Sequence, residues 1–128
     1  MNHARQLVTF LFASSLALAA LALAHPKVVS VEPVEGATVA RVSKVTLTFS
    51  EPLIAAMSGV DVVMTGMPGM ENHAAMKLSG VRVIVGPDGK TLVANLARPL
   101  PAGSYEADWH AVSTDTHRVT GKLTFTVK

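Results

Sequence analysis

The sequence contains no cysteine, so it can form neither a disulfide nor a thiolate metal site. Aromatic residues are also scarce, with one Trp, one Tyr and four Phe among 128 residues. A row of aromatic side chains for binding a polysaccharide is therefore not available. The formal net charge is only +2, which argues against nucleic-acid binding, since that function requires a basic stripe or patch. Any soft metal ligand in this chain must be a methionine thioether.

The longest apolar run lies at the start of the chain. Residues 7–24 are apolar except for one Thr and two Ser, and a single Arg precedes them. Ala22 and Ala24 are the small residues that a signal peptidase recognises, so the pattern predicts a cleaved secretory signal peptide over residues 1–24. A membrane anchor is the alternative, because about 18 apolar residues can just span a bilayer, but no basic flank follows. The remaining residues, 25–128, have the size of one small domain.

Cleavage after Ala24 would make His25 the first residue, with a free α-amine beside its imidazole. These two nitrogens can chelate one metal ion. Pro26 has no backbone N–H, so the next peptide nitrogen cannot join the chelate, and coordination positions stay open for other groups. Imidazole suits Cu, Zn and Ni, and a tetragonal set of nitrogen and oxygen donors favours Cu(II). Alternatively, His25 is simply the residue that follows the cleavage site.

Seven short segments, rich in β-branched or alternating apolar residues, predict strands with turn signals between them and no long helix. They cover residues 28–32, 45–49, 60–64, 81–85, 91–96, 105–111 and 122–127. Between the fourth and fifth, Pro87-Asp88-Gly89-Lys90 predicts a hairpin turn. An all-β sandwich of two antiparallel sheets is the simplest arrangement, and a closed barrel is the alternative. The expected core contains Val45, Leu47, Phe49, Tyr105, Trp109, Leu123 and Phe125.

Four of the six methionines fall within 13 residues, and one histidine continues their spacing of three. This spacing suggests one face of a helix, but two glycines and a proline in the same segment disfavour a helix, so we expect a loop. Thioethers select Cu(I), and the segment predicts a Cu(I) site. Its candidate ligands are Met64, Met67, Met70, His73 and Met76. In two alternative interpretations the methionines fill gaps beneath a long loop or form a contact surface for a protein partner.

A second cluster, Asp115-Thr116-His117, precedes the last predicted strand. In an extended backbone, residues two apart point to the same side, so the carboxylate of Asp115 and the imidazole of His117 would face one point. Together with the amine and imidazole of His25 they would supply three nitrogens and one oxygen, a set that suits Cu(II). The alternative is an exposed Asx-type turn with an uninvolved histidine. We expect His110 to be a solvated surface histidine.

Three stretches give the chain a resemblance to a known family. They are the start at His25-Pro26-Lys27, the methionine segment 64–76, and residues 105–121 with Trp109 and Asp115-Thr116-His117. Over nearly the whole of residues 25–128, the chain resembles the periplasmic copper-resistance proteins of the CopC type.

The resemblance implies a seven-stranded Greek-key, Ig-like β-sandwich. It also implies a Cu(II) site at one end, formed by His25, Asp115 and His117, and a separate Cu(I) site drawn from the methionine segment. Glu51 resembles a glutamate that lies near the Cu(II) site in some relatives. One departure concerns the soft site: some relatives place the histidine two residues after the third Met, whereas Glu71 and Asn72 both intervene here.

In function, the resemblance implies a periplasmic copper carrier that is not an enzyme, that binds copper ions and that works beside an inner-membrane copper transporter of the CopD type. After cleavage it would have no membrane span and no nucleic-acid partner. One alternative is a copper oxygenase, since an N-terminal histidine also holds copper in some oxygenases, but Asp115 as a ligand would leave less room for oxygen. The other is an Ig-like interaction module that uses its methionine loop as a contact surface.

Overall fold

The computed structural model describes residues 25–70 and 74–128 of the chain. The predicted signal peptide, residues 1–24, and the candidate ligand His73 lie outside these residues. The described part of the chain contains nine strands: β1 (Val28–Glu32), β2 (Ala37–Val39), β3 (Lys44–Phe49), β4 (Gly59–Gly66), β5 (Met76–Lys77), β6 (Arg82–Val85), β7 (Thr91–Asn95), β8 (Gly103–Val112) and β9 (Arg118–Val127). Within the described residues the only helical element is a 3-10 turn at Ala55–Met57. The same residues contain no helix that is long and apolar enough to cross a membrane.

The strands form two sheets, and this confirms the predicted β-sandwich. One sheet has the order β1-β3-β7-β6 and the other the order β2-β9-β8-β4-β5. Period-two alternation in the central strands turns one face of each sheet inward. Six of the seven expected core residues are at most 2% exposed: Val45, Leu47, Phe49, Tyr105, Leu123 and Phe125. The seventh, Trp109, is half-buried and packs edge-on against Phe49, with ring centroids 5.2 Å apart.

The sandwich has nine strands instead of the expected seven because the sequence does not signal two short edge strands. β2 contains three residues and β5 contains two, which is too short for a recognisable alternation. β2 also pairs in parallel with β9, whereas the expectation was for antiparallel sheets throughout. All other strand pairs are antiparallel.

The predicted hairpin turn joins β6 to β7 and is confirmed in detail. Oδ1 of Asp88 accepts hydrogen bonds from the backbone N–H groups of Lys90 and Thr91, each at 2.9 Å, and Oδ2 accepts one from the Thr91 hydroxyl at 2.6 Å. Gly89 follows with a φ of 71°, in the left-handed region that glycine adopts without strain. This turn also receives hydrogen bonds from the backbone N–H groups of Phe49 and Leu53, which fixes the segment after β3.

The long strand β8 connects the two ends of the sandwich. It has 10 residues and therefore spans about 30 Å. The first residues of the domain, the segment after β3 and the β8–β9 turn meet at one end. The methionine segment leaves β4 at the other end, where Gly66 pairs with Ser104 at the start of β8. The described members of the two groups of predicted copper ligands are therefore separated by most of the length of the domain.

Candidate metal centre

The β8–β9 turn carries both Asp115 and His117. The backbone N–H of Ser113 donates to the carbonyl oxygen of His117 at 3.0 Å, and the N–H of Thr116 donates to the carbonyl oxygen of Ser113 at 2.8 Å. Thr116 has a φ of 70°, which is unusual for a β-branched residue. The backbone is therefore not extended at this point, as one interpretation required, but forms a turn, as in the alternative of an Asx-type turn. The two side chains come together because the chain turns tightly here.

The carboxylate of Asp115 is held on one side by this turn. Its Oδ1 accepts a hydrogen bond from the Ser113 hydroxyl and a second, at 3.2 Å, from the backbone N–H of His117. The hydroxyl of Ser113 and the side chain of His117 lower the pKa of Asp115 to about 2. Asp115 is therefore a carboxylate at any physiological pH, which is the form that binds a cation.

Oδ2 of Asp115 faces the ring of His117. Nδ1 of His117 lies 3.0 Å from this oxygen, but it is inaccessible to solvent and has no hydrogen-bond partner within the described part of the chain. The short distance shows an electrostatic contact without the alignment of a hydrogen bond. Two donors bound about 2.0 Å from one metal ion at a right angle lie about 2.8 Å apart. The separation and the unpartnered nitrogen are thus compatible with neighbouring ligands of one metal.

His25 completes this cluster from the start of the domain. Its ring lies edge-on to that of His117, with centroids 4.5 Å apart and an angle of 74° between the planes. The next two residues hold it there: Pro26 is buried, and Lys27 exchanges two hydrogen bonds with Ser50. The backbone N–H of Lys27 donates to the Ser50 hydroxyl at 2.9 Å, and the N–H of Ser50 donates to the carbonyl oxygen of Lys27 at 2.8 Å.

The three predicted Cu(II) ligands are adjacent, but their donor atoms do not converge. Across residues 25–70 and 74–128, no group of three or more His, Asp or Glu side chains has the geometry to hold a metal ion. One metal ion could therefore be bound by all three side chains only after at least one of them moves. His25 is exposed, so its rotation is sterically open. In the chain that retains residues 1–24, its backbone nitrogen is also an amide, whose lone pair is delocalised into the carbonyl group and is not available to a metal ion.

Two further residues from the sequence analysis lie near this end of the sandwich. Glu51 is half-buried and directly follows Ser50, so the chain carries it to the same end as His25. His110 is half-buried on the outer face of β8, opposite Gly59 of β4, where a side chain on Gly59 would overlap its ring. It is less solvated than expected.

The methionine segment makes a tight turn directly after the end of β4. The backbone N–H of Met70 donates to the carbonyl oxygen of Met67 at 2.8 Å, and the N–H of Met67 donates back to Met70 at 3.2 Å. Pro68 and Gly69 form the corner, and Gly69 has a φ of 78°. Proline followed by a glycine of positive φ is typical of a type II turn. The turn places Met67 and Met70 directly opposite each other.

The other two described methionines of the segment pair across β4 and β5, where Met64 lies opposite Met76. Met64 is only 7% exposed and belongs to the core, whereas Met76 and Met70 are 53% and 57% exposed. Met64 belongs to a strand, as the predicted strand at residues 60–64 required, and the following residues leave that strand through the turn. The interpretation that methionines fill gaps in the packing therefore fits Met64. It does not fit Met70 and Met76, which are exposed.

Sequence reasoning missed two serines that organise the Cu(II) cluster. Ser50 ties down the segment that carries His25, and Ser113 contacts both parts of the Asp115–His117 turn. Ser113 is 1% exposed. One sequence signal could have identified Ser113: it is a hydroxyl residue at the end of an apolar strand, two residues before the carboxylate of Asp115.

Comparison with known proteins gives consistent matches. A family model described as the CopC domain matches residues 28–128. Copper resistance protein C of Pseudomonas syringae pv. tomato is 51% identical over 118 residues, which span 92% of each chain. The protein of the same name from Escherichia coli is 47% identical over 107 residues, 84% of each chain. The crystal structure of PcoC, described as a methionine rich copper resistance protein from Escherichia coli, aligns with a TM-score of 0.74 and 45% identity, covering 82% of this chain and 100% of that one.

Proposed function

The chain belongs to the CopC family, and on that premise we propose that it is a periplasmic copper-binding carrier for copper resistance or homeostasis. Removal of residues 1–24 frees the α-amine of His25. The carrier then binds Cu(II) at the His25 end and Cu(I) at the methionine end. It performs no catalysis, and it passes copper to or from an inner-membrane transporter of the CopD type.

One observation supports the proposed Cu(II) site: the imidazoles of His25 and His117 lie against each other, beside the ionised carboxylate of Asp115. Two imidazoles, one amine and one carboxylate are a donor set suited to Cu(II). The similarity to proteins named for copper resistance supports copper over zinc or nickel. Glu51 is a possible outer ligand, since the chain brings it to the same end.

The ligands of the proposed Cu(I) site come from Met67, Met70, His73 and Met76. The exposure of Met70 and Met76 supports this site, because their thioether sulfurs are then accessible to a metal ion from solvent. Thioethers prefer Cu(I), and no thiol competes with them in this cysteine-free chain. Met64 is a fifth candidate, but its core position means that the edge of the sheet must open before its sulfur can reach a metal.

Metal titration tests the proposal. The polypeptide that begins at His25 is titrated with Cu(II) in air and with Cu(I) under anaerobic conditions, and a competing chelator sets the free metal concentration. We expect one tight site for each oxidation state. An interaction module would bind neither ion tightly. A copper oxygenase would bind Cu(II) and then turn over with a reductant and peroxide, in a manner abolished by His25→Ala.

A further inference from the structure

Ser113 is the one fully buried polar residue within residues 25–70 and 74–128. It follows the buried residues Ala111 and Val112 at the end of β8, where the chain otherwise carries apolar side chains. A buried hydroxyl without a hydrogen bond is unfavourable, so the partners of this serine show what it does.

All the close hydrogen bonds of Ser113 go to the turn that holds the predicted Cu(II) ligands. Its hydroxyl donates to Oδ1 of Asp115. Its backbone N–H donates to the carbonyl oxygen of His117 at 3.0 Å, and its carbonyl oxygen accepts from the N–H of Thr116 at 2.8 Å. Its hydroxyl also lies 3.5 Å from the carbonyl oxygen of His117, too far to compete with the bond to Asp115.

These contacts make the two oxygens of Asp115 unequal. Oδ1 already accepts from the Ser113 hydroxyl and from the backbone N–H of His117. Within the described residues, Oδ2 faces Nδ1 of His117 at 3.0 Å, without the alignment of a hydrogen bond. A carboxylate held in this way can offer one oxygen to a metal, whereas a free carboxylate can bind through either oxygen or through both.

We propose that Ser113 is a positioning residue for the Cu(II) site: its buried hydroxyl holds Oδ1 of Asp115, so that Oδ2 alone binds the metal. This inference rests on the proposed Cu(II) site and assigns a role within it. Outer groups that orient metal ligands typically change metal affinity by about 10–100-fold when removed. Ser113 acts here on a carboxylate ligand in the way that outer carboxylates act on ligating histidines.

The first test is a double-mutant cycle in the polypeptide that begins at His25. Ser113→Ala should weaken Cu(II) binding by about 10-fold or more and change the Cu(II) EPR spectrum, because the carboxylate can then reorient. In the Asp115→Asn background the same substitution should have little further effect, since it acts through Asp115. Equal losses in both backgrounds, or an unchanged spectrum with unchanged affinity, would overturn the proposal.

Two controls separate this role from a general structural one. Thr114→Ala removes a hydroxyl from the neighbouring exposed residue of the same turn and should leave Cu(II) affinity and spectrum unchanged. Ser113→Thr keeps the hydroxyl and should keep the wild-type spectrum. Near-UV circular dichroism of the single tryptophan checks that each variant is folded.

The proposal can also be tested on the unsubstituted protein, so that the result does not depend on whether a variant folds. In the metal-free polypeptide, NMR couplings of the Asp115 side chain should report a single rotamer, and the Ser113 hydroxyl proton should exchange slowly with water. Rotamer averaging at Asp115 would overturn the proposal even if Cu(II) binds tightly. If the unsubstituted protein bound no Cu(II) at all while Asp115 was fixed, the proposed function would fail instead.

Discussion

The imidazole of His25 rests edge-on against the imidazole of His117, with ring centroids 4.5 Å apart. The first residues of the domain and the turn before its last strand thus meet at one end of the sandwich. His25 is attached through Lys27 to Ser50, and His117 through its backbone to Ser113. The contact between these two imidazoles contributes little to the stability of the fold. It does bring two metal-binding side chains together from separately anchored segments.

The first prediction concerns the amine of His25. A protein with one additional alanine before His25 should lose most of its Cu(II) affinity, because the nitrogen of His25 is then an amide and the chelate cannot close. Its Cu(I) affinity should be unchanged, since the methionine segment lies at the other end of the domain. Competition titrations with both ions check this, and equal loss of both affinities would mean that the two sites are not separate.

The second prediction concerns pH. Copper binds the unprotonated amine, whose ordinary pKa is about 7.7–8.0, and unprotonated imidazole, about 6.5 in model compounds, so binding releases protons. Cu(II) affinity should therefore fall by at least about 100-fold between pH 7.5 and pH 5, from the amine alone. Hydrogen bonding holds the pKa of Asp115 at about 2, so this carboxylate stays charged across the range and adds nothing to the slope.

Asp115→Asn is the matching control for the pH experiment. It should weaken Cu(II) binding at every pH and leave the steepness of the pH dependence unchanged between pH 5 and 7.5. A Cu(II) affinity that did not depend on pH over this range would rule out the amine and imidazole ligands. A flatter profile for the Asn variant would instead show that Asp115 takes up a proton in this range.

The sequence correctly predicted the strands whose apolar residues alternate regularly. It did not predict features that depend on the backbone conformation of individual residues. The alternation in β3 and β9 and the proline-aspartate-glycine turn led to the correct core and hairpin. The approach of Asp115 to His117 was predicted from an extended chain, but a turn with a left-handed Thr116 produces it. A β-branched residue gives no sequence signal for that conformation. Likewise, equal spacing of the methionines did not reveal that Met64 faces the core.

The third prediction concerns the exposed methionines. The double substitution Met70→Ile and Met76→Ile should lower Cu(I) affinity more than about 10-fold, since losing even outer-shell partners costs about that much. The free energy of unfolding should stay within about 0.5 kcal/mol of wild type, because the side chains are on the surface. Anaerobic Cu(I) titration and urea unfolding measure the two quantities.

Two other methionines serve as controls for this prediction. Met57 is 52% exposed but lies in the 3-10 turn at the opposite end, so Met57→Ile should leave Cu(I) affinity unchanged. Met64→Leu keeps the volume of a core side chain and should cost less than about 1.5 kcal/mol of stability. If it also leaves Cu(I) affinity unchanged, Met64 is a core residue only; a large loss would make it a ligand. Cu(I) binding that survived the double substitution would reject the exposed methionines as ligands.

The fourth prediction concerns the packing of Trp109. Gly121 of β9 lies directly opposite Trp109 of β8, and a Cβ at Gly121 would overlap the indole ring. Gly121→Ala should therefore displace the ring from Phe49 and lower the free energy of unfolding by about 1–3 kcal/mol, as overpacking does. Tryptophan fluorescence during urea unfolding reports this directly. Gly86→Ala is the control, because a Cβ there meets only ordinary contacts, and equal destabilisation by both would contradict the packing argument.

We expect the exported protein to begin at His25 and to bind Cu(II) through that residue. Intact mass spectrometry of the protein recovered from the periplasm, under native conditions and with added Cu(II), measures the first residue and the metal count together. We predict the mass of residues 25–128, and one additional Cu(II) that is lost on denaturation. A protein that begins at any other residue and still retains Cu(II) would show that the α-amine of His25 is not a ligand.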